Sequence, residues 1–189
     1  MIDWIRKIYY RFIFGRLLKK ERDKALMSYG DIRRILIVFV MRDESSWHAM
    51  TDSVQQMEQE GKMVELLAIV PADYHLEFLI TRKHTHLLYE EGNFSFWRLP
   101  RHDVLSDLYA EHYDVLIDAV GGNNRVAQYI SLMSHAAWRI AYHDRSAQRD
   151  EAVDDFDEEI YDLIISESHP ISFKEYMKSI EQYMRLLRS

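Results

Sequence analysis

From residue 31 onward the sequence alternates short, continuously apolar runs with longer stretches whose apolar residues recur at helical spacing. A strand that is apolar on both sides has to be covered on both sides, and helices that connect parallel strands supply that cover. Ile35–Val40, led in by Arg34, is the first such run. Ser45 to Gly61 then carries Trp47, Met50, Val54 and Met57 at helical spacing, with Gly61 placed to end the helix. Met63 to Val70 follows as a second apolar run, closed by Pro71. The three together predict a β-α-β unit and, by handedness, a right-handed crossover onto a parallel sheet.

Further along, Tyr74, Phe78 and Leu79 suggest a short helix, and His86–Tyr89 and Phe94–Trp97 suggest short extended pieces around Gly92 and Asn93. Asp103 to His112 predicts a helix with Val104, Leu105, Leu108 and Tyr109 inward, delivering the chain into a third strand over Tyr113–Val120. Val126 to Trp138 predicts another helix, Arg139–Tyr142 a fourth strand and Tyr161–Ser166 a fifth. Between them, seven acids in the ten residues Asp150–Glu159 predict a solvated surface loop. At the end, Ser172 and Glu175 form a capping box, Ile171 can staple to Tyr176, and Phe173, Met177, Ile180, Met184 and Leu187 make one apolar stripe. The expected fold is α/β: a three-layer α/β/α sandwich, Rossmann-like, with a mostly parallel sheet of about five strands. A basic amphipathic arm over residues 1–30 precedes a single Rossmann-like domain over residues 31–189.

Charge divides the chain at the same place. Residues 1–34 hold ten Lys/Arg against four Asp/Glu, and the remainder holds 14 against 27. A net charge of -7 argues against nucleic acid as a partner, because phosphate neutralisation needs a basic face. The absence of Cys removes disulfides, thiol nucleophiles and Cys-ligated metal, and the nine His show no ligand spacing, so neither a metal nor a cofactor is expected. A cytoplasmic address fits a Cys-free chain.

Within the arm, Arg6, Lys7, Arg11 and Arg16 interrupt the apolar residues well short of the ~20 needed to span a bilayer. At helical spacing, Ile2, Ile5, Ile8, Tyr9, Phe12 and Ile13 share one arc, opposite Asp3, Arg6, Lys7 and Arg11. Trp4, Tyr10 and Phe14 place aromatics off that arc. Aromatic and basic side chains together suit an anionic membrane surface, so Trp4, Arg6, Lys7, Arg11 and Phe14 are the expected contacts with a membrane face or a partner. Packing of the same helix on the body, or on a second copy in a homo-oligomer, uses the same residues.

Ligands of open α/β sheets bind at the carboxyl ends of the strands. There Asp43 follows the first strand, Asp118 ends the third, and Gly121, Gly122, Asn123, Asn124 and Arg125 form the next turn. Glycines let backbone approach a ligand, and Arg125 can clamp a phosphate or carboxylate. Gly and Asn also serve simply to turn a chain from strand to helix, and Asp43 also reads as an ordinary helix cap. Neither G-x-G-x-x-G nor G-x-x-x-x-G-K-[ST] occurs, and no Ser is framed as G-x-S-x-G, so no catalytic constellation is complete.

Tyr113–Asp118, the Gly-Asn turn with Arg125, the helix containing Ala127 and Arg139–Tyr142 resemble a stretch in the N-terminal half of heptosyltransferase-type glycosyltransferases, over about thirty residues. That resemblance implies a small-molecule or sugar-phosphate binding domain related to an acceptor half, although the family's glycine-aspartate turn after the first strand has no counterpart near Asp43. Over nearly the whole chain, the basic arm, the Ile-Leu-Ile-Val strand, the Phe-Ser-Phe-Trp segment, the Tyr-Asp-led strands and the closing helix resemble a family of uncharacterised proteins from Bacteroidota. It implies no activity, cofactor or site. The expectation is a non-catalytic module that docks through its arm to a partner or to the inner face of a membrane, with ligand binding at the carboxyl edge as the alternative.

Overall fold

The computed structural model describes residues 2–41, 43–72, 82–120, 124–144, 157–167 and 172–186. Six strands form one sheet: β1 (Arg34–Val40), β2 (Met63–Val70), β3 (Thr85–Tyr89), β4 (His112–Asp118), β5 (His135–Asp144) and β6 (Leu163–Glu167). Their order is β3-β2-β1-β4-β5-β6, and every neighbouring pair is parallel. The chain winds from β1 to one edge, crosses back to β4 beside β1, and winds to the other edge. This is the doubly wound Rossmann order, with its switch point between β1 and β4.

The helices are α1 (Ile2–Leu18), α2 (Glu44–Gln59), the single turn α3 (Glu90–Asn93), α4 (Ser106–Ala110), α5 (Arg125–Met133), α6 (Asp157–Ile160) and α7 (Phe173–Leu186). Because strand side chains alternate between faces, each central strand feeds two cores. Ile35, Ile37 and Phe39 of β1 meet Trp47, Met50, Val54 and Met57 of α2 and Tyr176, Met177, Ile180 and Met184 of α7. On the other face, Leu36 and Val38 meet Leu108 and Tyr109 of α4 and Ala127 and Ile130 of α5. A third cluster, built on Phe14, Leu132, Ala141, Ile160 and Tyr161, joins α1 to α5, β5 and α6.

Two expectations about elements need correction and one is extended. The extended piece expected at His86–Tyr89 pairs with β2 as an edge strand over residues 85–89, so the parallel sheet has six strands. Only Leu88 of that strand is buried, so it never presents a continuous apolar run. The helix expected to reach Trp138 stops at Met133, and His135, Ala136 and Trp138 pair with β4 instead. Ser134 makes the break, with an extended backbone and a hydroxyl that donates to Ser131 O at 2.8 Å. Finally, the expected helix over residues 103–112 is a 3-10 turn at His102–Val104 followed by α4, and His112 already belongs to β4. The helix suggested around Tyr74, most of the acidic stretch, Ile171 and Leu187 lie outside the described residues.

Candidate functional site

The carboxyl edge at the switch point gathers Asp43, Asp118 and Asn124, as the topology requires. Asp43 is the N-cap of α2: its Oδ1 accepts from Ser46 N at 2.6 Å, and Ser46 Oγ lies 3.2 Å from the Asp43 N–H it accepts. Asn124 caps α5, its Oδ1 accepting from Val126 N at 2.9 Å and Ala127 N at 3.1 Å. Both helix N-termini are thus closed by their own side chains. Arg125 reaches along α5 to Gln128 Oε1 at 3.1 Å, and its guanidinium carbon lies 5.8 Å from the centre of the Phe14 ring. Gly121, Gly122 and Asn123 are outside the described residues.

Asp118 is buried and its carboxylate ties the edge together. One oxygen accepts from Val120 N at 3.0 Å and the other accepts a short hydrogen bond from the Tyr161 hydroxyl. Its main-chain carbonyl accepts from the Tyr176 hydroxyl of α7 at 2.9 Å. Burial, then the charge of Asp118, holds that phenol well above its ordinary range, so it stays a donor.

The arm is seated on the body along one side. Phe14, expected among the membrane or partner contacts, is instead fully buried in the cluster of Leu132, Ala141, Ile160 and Tyr161. Ile13, Leu17 and Leu18 pack at its margin. Nearer the N-terminus, Tyr9 stacks on Trp97 with ring centres 4.2 Å apart, and Tyr10 Oη donates to Trp97 O at 2.6 Å. Trp97 stands in a loop pinned by the Phe94–Pro100 bridge. Arg6, half-buried, turns towards the neighbouring Phe96 ring at 5.8 Å.

The single apolar arc read from the sequence is therefore divided. Tyr9 and Ile13 go to the body together with Tyr10 and Phe14, while Trp4, Ile5, Ile8 and Phe12 remain 67%, 44%, 50% and 66% exposed. At 100° per residue these four form one outward face. Lys7, Arg11 and Arg16 stand exposed along its sides, and Lys19 and Lys20 follow beyond the end of the helix.

Two cavities are formed among the described residues away from that edge. One, of about 670 Å³, lies at the amino ends of β4 and β5, under the segment Lys20–Lys24. The other, of about 920 Å³, runs between α2 and α7. Three polar residues of the first, Arg22, Tyr109 and Arg139, come from three distant segments and form no local motif. No sequence signal singles them out; the run of cations before Asp31 includes only Arg22 of the three.

Residues 6–187 match the sequence model of DUF6913, a family of unknown function. The chain belongs to that family. Among curated proteins no significant match is found. The part matched to DUF6913 takes in α1 from Arg6 onward and all six strands, so the seated helix and the doubly wound sheet are both within it.

Proposed function

We propose that this protein is a non-catalytic α/β module that docks on an anionic membrane surface through the outward face of α1. The observation that carries this reading is that α1 is already anchored to the body by Tyr9, Tyr10, Ile13 and Phe14, yet keeps Trp4, Ile5, Ile8 and Phe12 exposed. A helix that packs only on its own domain needs one apolar side and turns polar residues to solvent. Here the outward side carries an indole, a phenyl ring and two isoleucines between cations, the composition of a helix lying at headgroup level. Each Lys or Arg near an anionic surface adds about 1 kcal/mol of attraction, and the face is bordered by exposed basic residues.

The charge layout supplies an orientation. Anionic lipid attracts the first 34 residues, with ten Lys/Arg against four Asp/Glu, and repels the remainder, with 14 against 27. The module would settle with α1 towards the lipid and the acidic sheet domain away from it. Among the described residues no helix is long and apolar enough to cross a membrane, so contact is from one side. A cytoplasmic chain would meet such lipid at the inner face of its membrane.

Co-sedimentation with phosphatidylcholine vesicles, with and without phosphatidylglycerol, tests the reading. The full chain should pellet with the anionic vesicles, release them at high salt, and lose binding in the double substitution Ile8→Glu, Phe12→Glu. Failure of the unmodified chain to bind anionic vesicles would overturn it. Should the same substitution instead turn a dimer into a monomer in light scattering, the face joins two copies of the chain.

A further inference from the structure

We propose that β3 is a dimerisation edge, to which a second copy of this chain adds its own β3 antiparallel and so joins two sheets into one. The surface is separate from the outward face of α1, and the proposal does not rest on membrane docking.

Among the described residues β3 ends the sheet. Thr85 is level with Leu66 of β2, and Leu66 N donates to His84 O at 2.9 Å. By alternation, the main-chain groups of His84, His86 and Leu88 turn to β2, and those of Thr85, Leu87 and Tyr89 turn away from it. Of these outward groups, only the N–H of Tyr89 is engaged among the described residues, donating to Asn93 Oδ1 at 2.8 Å. A row of unmatched main-chain groups along a sheet edge is a template for another strand. Its extent is bounded: His84, with φ of 62°, turns the chain into β3, and the single turn α3, with Gly92 at φ of 85°, takes it out. Pairing is thereby confined to Thr85–Tyr89.

The charges at the two ends of the strand select the occupant. Lys83 and His84 precede β3, and Glu90 and Glu91 follow it. All four side chains are exposed, and none makes an ion pair among the described residues. The neighbouring cation, Arg82, is held by Glu58 of α2. Basic before and acidic after is a self-complementary order. Two copies set antiparallel about Leu87 bring Lys83 and His84 of each to the end where Glu91 and Glu90 of the other stand, whereas a parallel setting brings like charges together.

The same register uses the outward groups best. Opposing Leu87 to Leu87 and Thr85 to Tyr89 engages every outward residue of both copies. Main-chain bonds then run between the two Leu87 residues and from Thr85 N of each copy to Tyr89 O of the other, and the Tyr89 N–H stays with Asn93. Side chains at these positions share one face of the strand. Partly buried Leu87 meets its counterpart across the two-fold axis, and Tyr89, 42% exposed, covers the Thr85 opposite. An edge this short makes a small, reversible contact.

Sedimentation equilibrium of the full chain from about 1 µM to about 1 mM tests the proposal. The mass should rise from 22.7 kDa towards twice that value. Leu87→Pro deletes an outward N–H and leaves the ladder with β2 whole, so it should hold the chain monomeric with unchanged circular dichroism. Lys83→Glu should weaken the dimer roughly tenfold, and adding Glu91→Lys should restore it, because the pair is then reversed and not removed. Both of these positions are exposed, so the charge swap decides the question even where the proline variant unfolds. The dimer should persist in Ile8→Glu, Phe12→Glu. A chain that stays monomeric at the highest concentration, a folded Leu87→Pro that still dimerises, or a charge swap that fails to regain affinity would each overturn the proposal. Dissociation by the α1 substitutions would overturn it too, moving self-association to that helix. None of these outcomes bears on whether anionic vesicles bind the chain.

Discussion

Tyr9 of the arm and Trp97 of the body stack with ring centres 4.2 Å apart and planes within 12° of parallel. This contact joins residues 88 positions apart in sequence and divides α1 into a side held by the body and a side turned outward. With Phe14 fully buried a turn further on, the two aromatics fix the rotation of the helix about its own axis. Any role of the outward face depends on that rotation being maintained.

The two sides of α1 should accordingly answer to mutation in opposite ways. Phe14→Ala removes a fully buried ring from the cluster with Leu132 and Ile160 and should cost about 3–5 kcal/mol. Phe12→Ala, at a position 66% exposed, should stay within about 0.5 kcal/mol. Urea unfolding of the two variants measures the difference. Equal costs would mean that the helix is not seated as described.

The Asp118 cluster makes a prediction about the carboxyl edge. Replacing Asp118 by Ala leaves the Tyr161 hydroxyl and the Val120 N–H buried without their acceptor. Bonds to a charged acceptor contribute roughly 1.5–3 kcal/mol, so Asp118→Ala should lower stability by about 2–4 kcal/mol and Tyr161→Phe by about 1.5–3 kcal/mol. Near-neutral values in chemical denaturation would free Asp118 from this bracing role and return it to the candidates for ligand contact.

Acid should loosen the link between the arm's connecting segment and the sheet. Burial favours the neutral form of Asp162, but hydrogen bonds from Arg22, the Arg139 main chain and Lys24 outweigh it, and its carboxyl sits below the usual carboxylate range. A carboxylate with a folded pKa below its unfolded one contributes stability above the ordinary value of about 3.9, and that contribution disappears as pH falls through the folded pKa. Stability measured between neutral pH and about pH 2 should fall in the unmodified chain by roughly 1–3 kcal/mol more than in Asp162→Asn. The variant should already be less stable at neutral pH. Parallel pH profiles would show that Asp162 is not linked to folding.

How much of this was legible in the sequence follows from where each signal resides. β1, β2 and β4 declare themselves because both faces of each are buried, which leaves continuous apolar runs. The start of α7 is equally local: Ser172 N donates to Glu175 Oε2 at 2.8 Å and Glu175 N to Ser172 Oγ at 3.3 Å, both partners lying within four residues. The edge strand β3 shows only as a short extended piece at His86–Tyr89, without a continuous apolar run, because one side of it meets solvent. In α1, apolar residues nearly encircle the helix, so periodicity cannot choose which of them go inward. Trp97, Leu132 and Ile160 make that choice from more than eighty residues away. The rim residues Asp43 and Asn124 were placed by topology, and their cap geometry is as local as their sequence context suggested. Arg22, Tyr109 and Arg139 had no such context, since the fold alone brings them to one cavity.

A last prediction concerns Glu65, a buried carboxylate that stitches four strands together. It lies 3.2 Å from Arg34 of β1 and 3.3 Å from His86 of β3, and it accepts from the Tyr113 hydroxyl of β4 at 3.0 Å. Burial first and the charge of Glu65 next push the Tyr113 phenol far up, so it remains a proton donor to that carboxylate. In Glu65→Leu the Tyr113 hydroxyl loses its acceptor, while Arg34 keeps Glu111 at 2.6 Å and is not stranded. Most of the penalty should therefore reside in the hydroxyl, at about 1–3 kcal/mol for a buried polar group left unmatched. Removing it as well, in Glu65→Leu with Tyr113→Phe, should make the double variant no less stable than Glu65→Leu alone, because replacing both partners by apolar groups is close to neutral. A double-mutant cycle by urea unfolding decides the point: additive losses would show that the two groups act independently, and a coupling of about 1–3 kcal/mol would show that they act as one bond across the sheet.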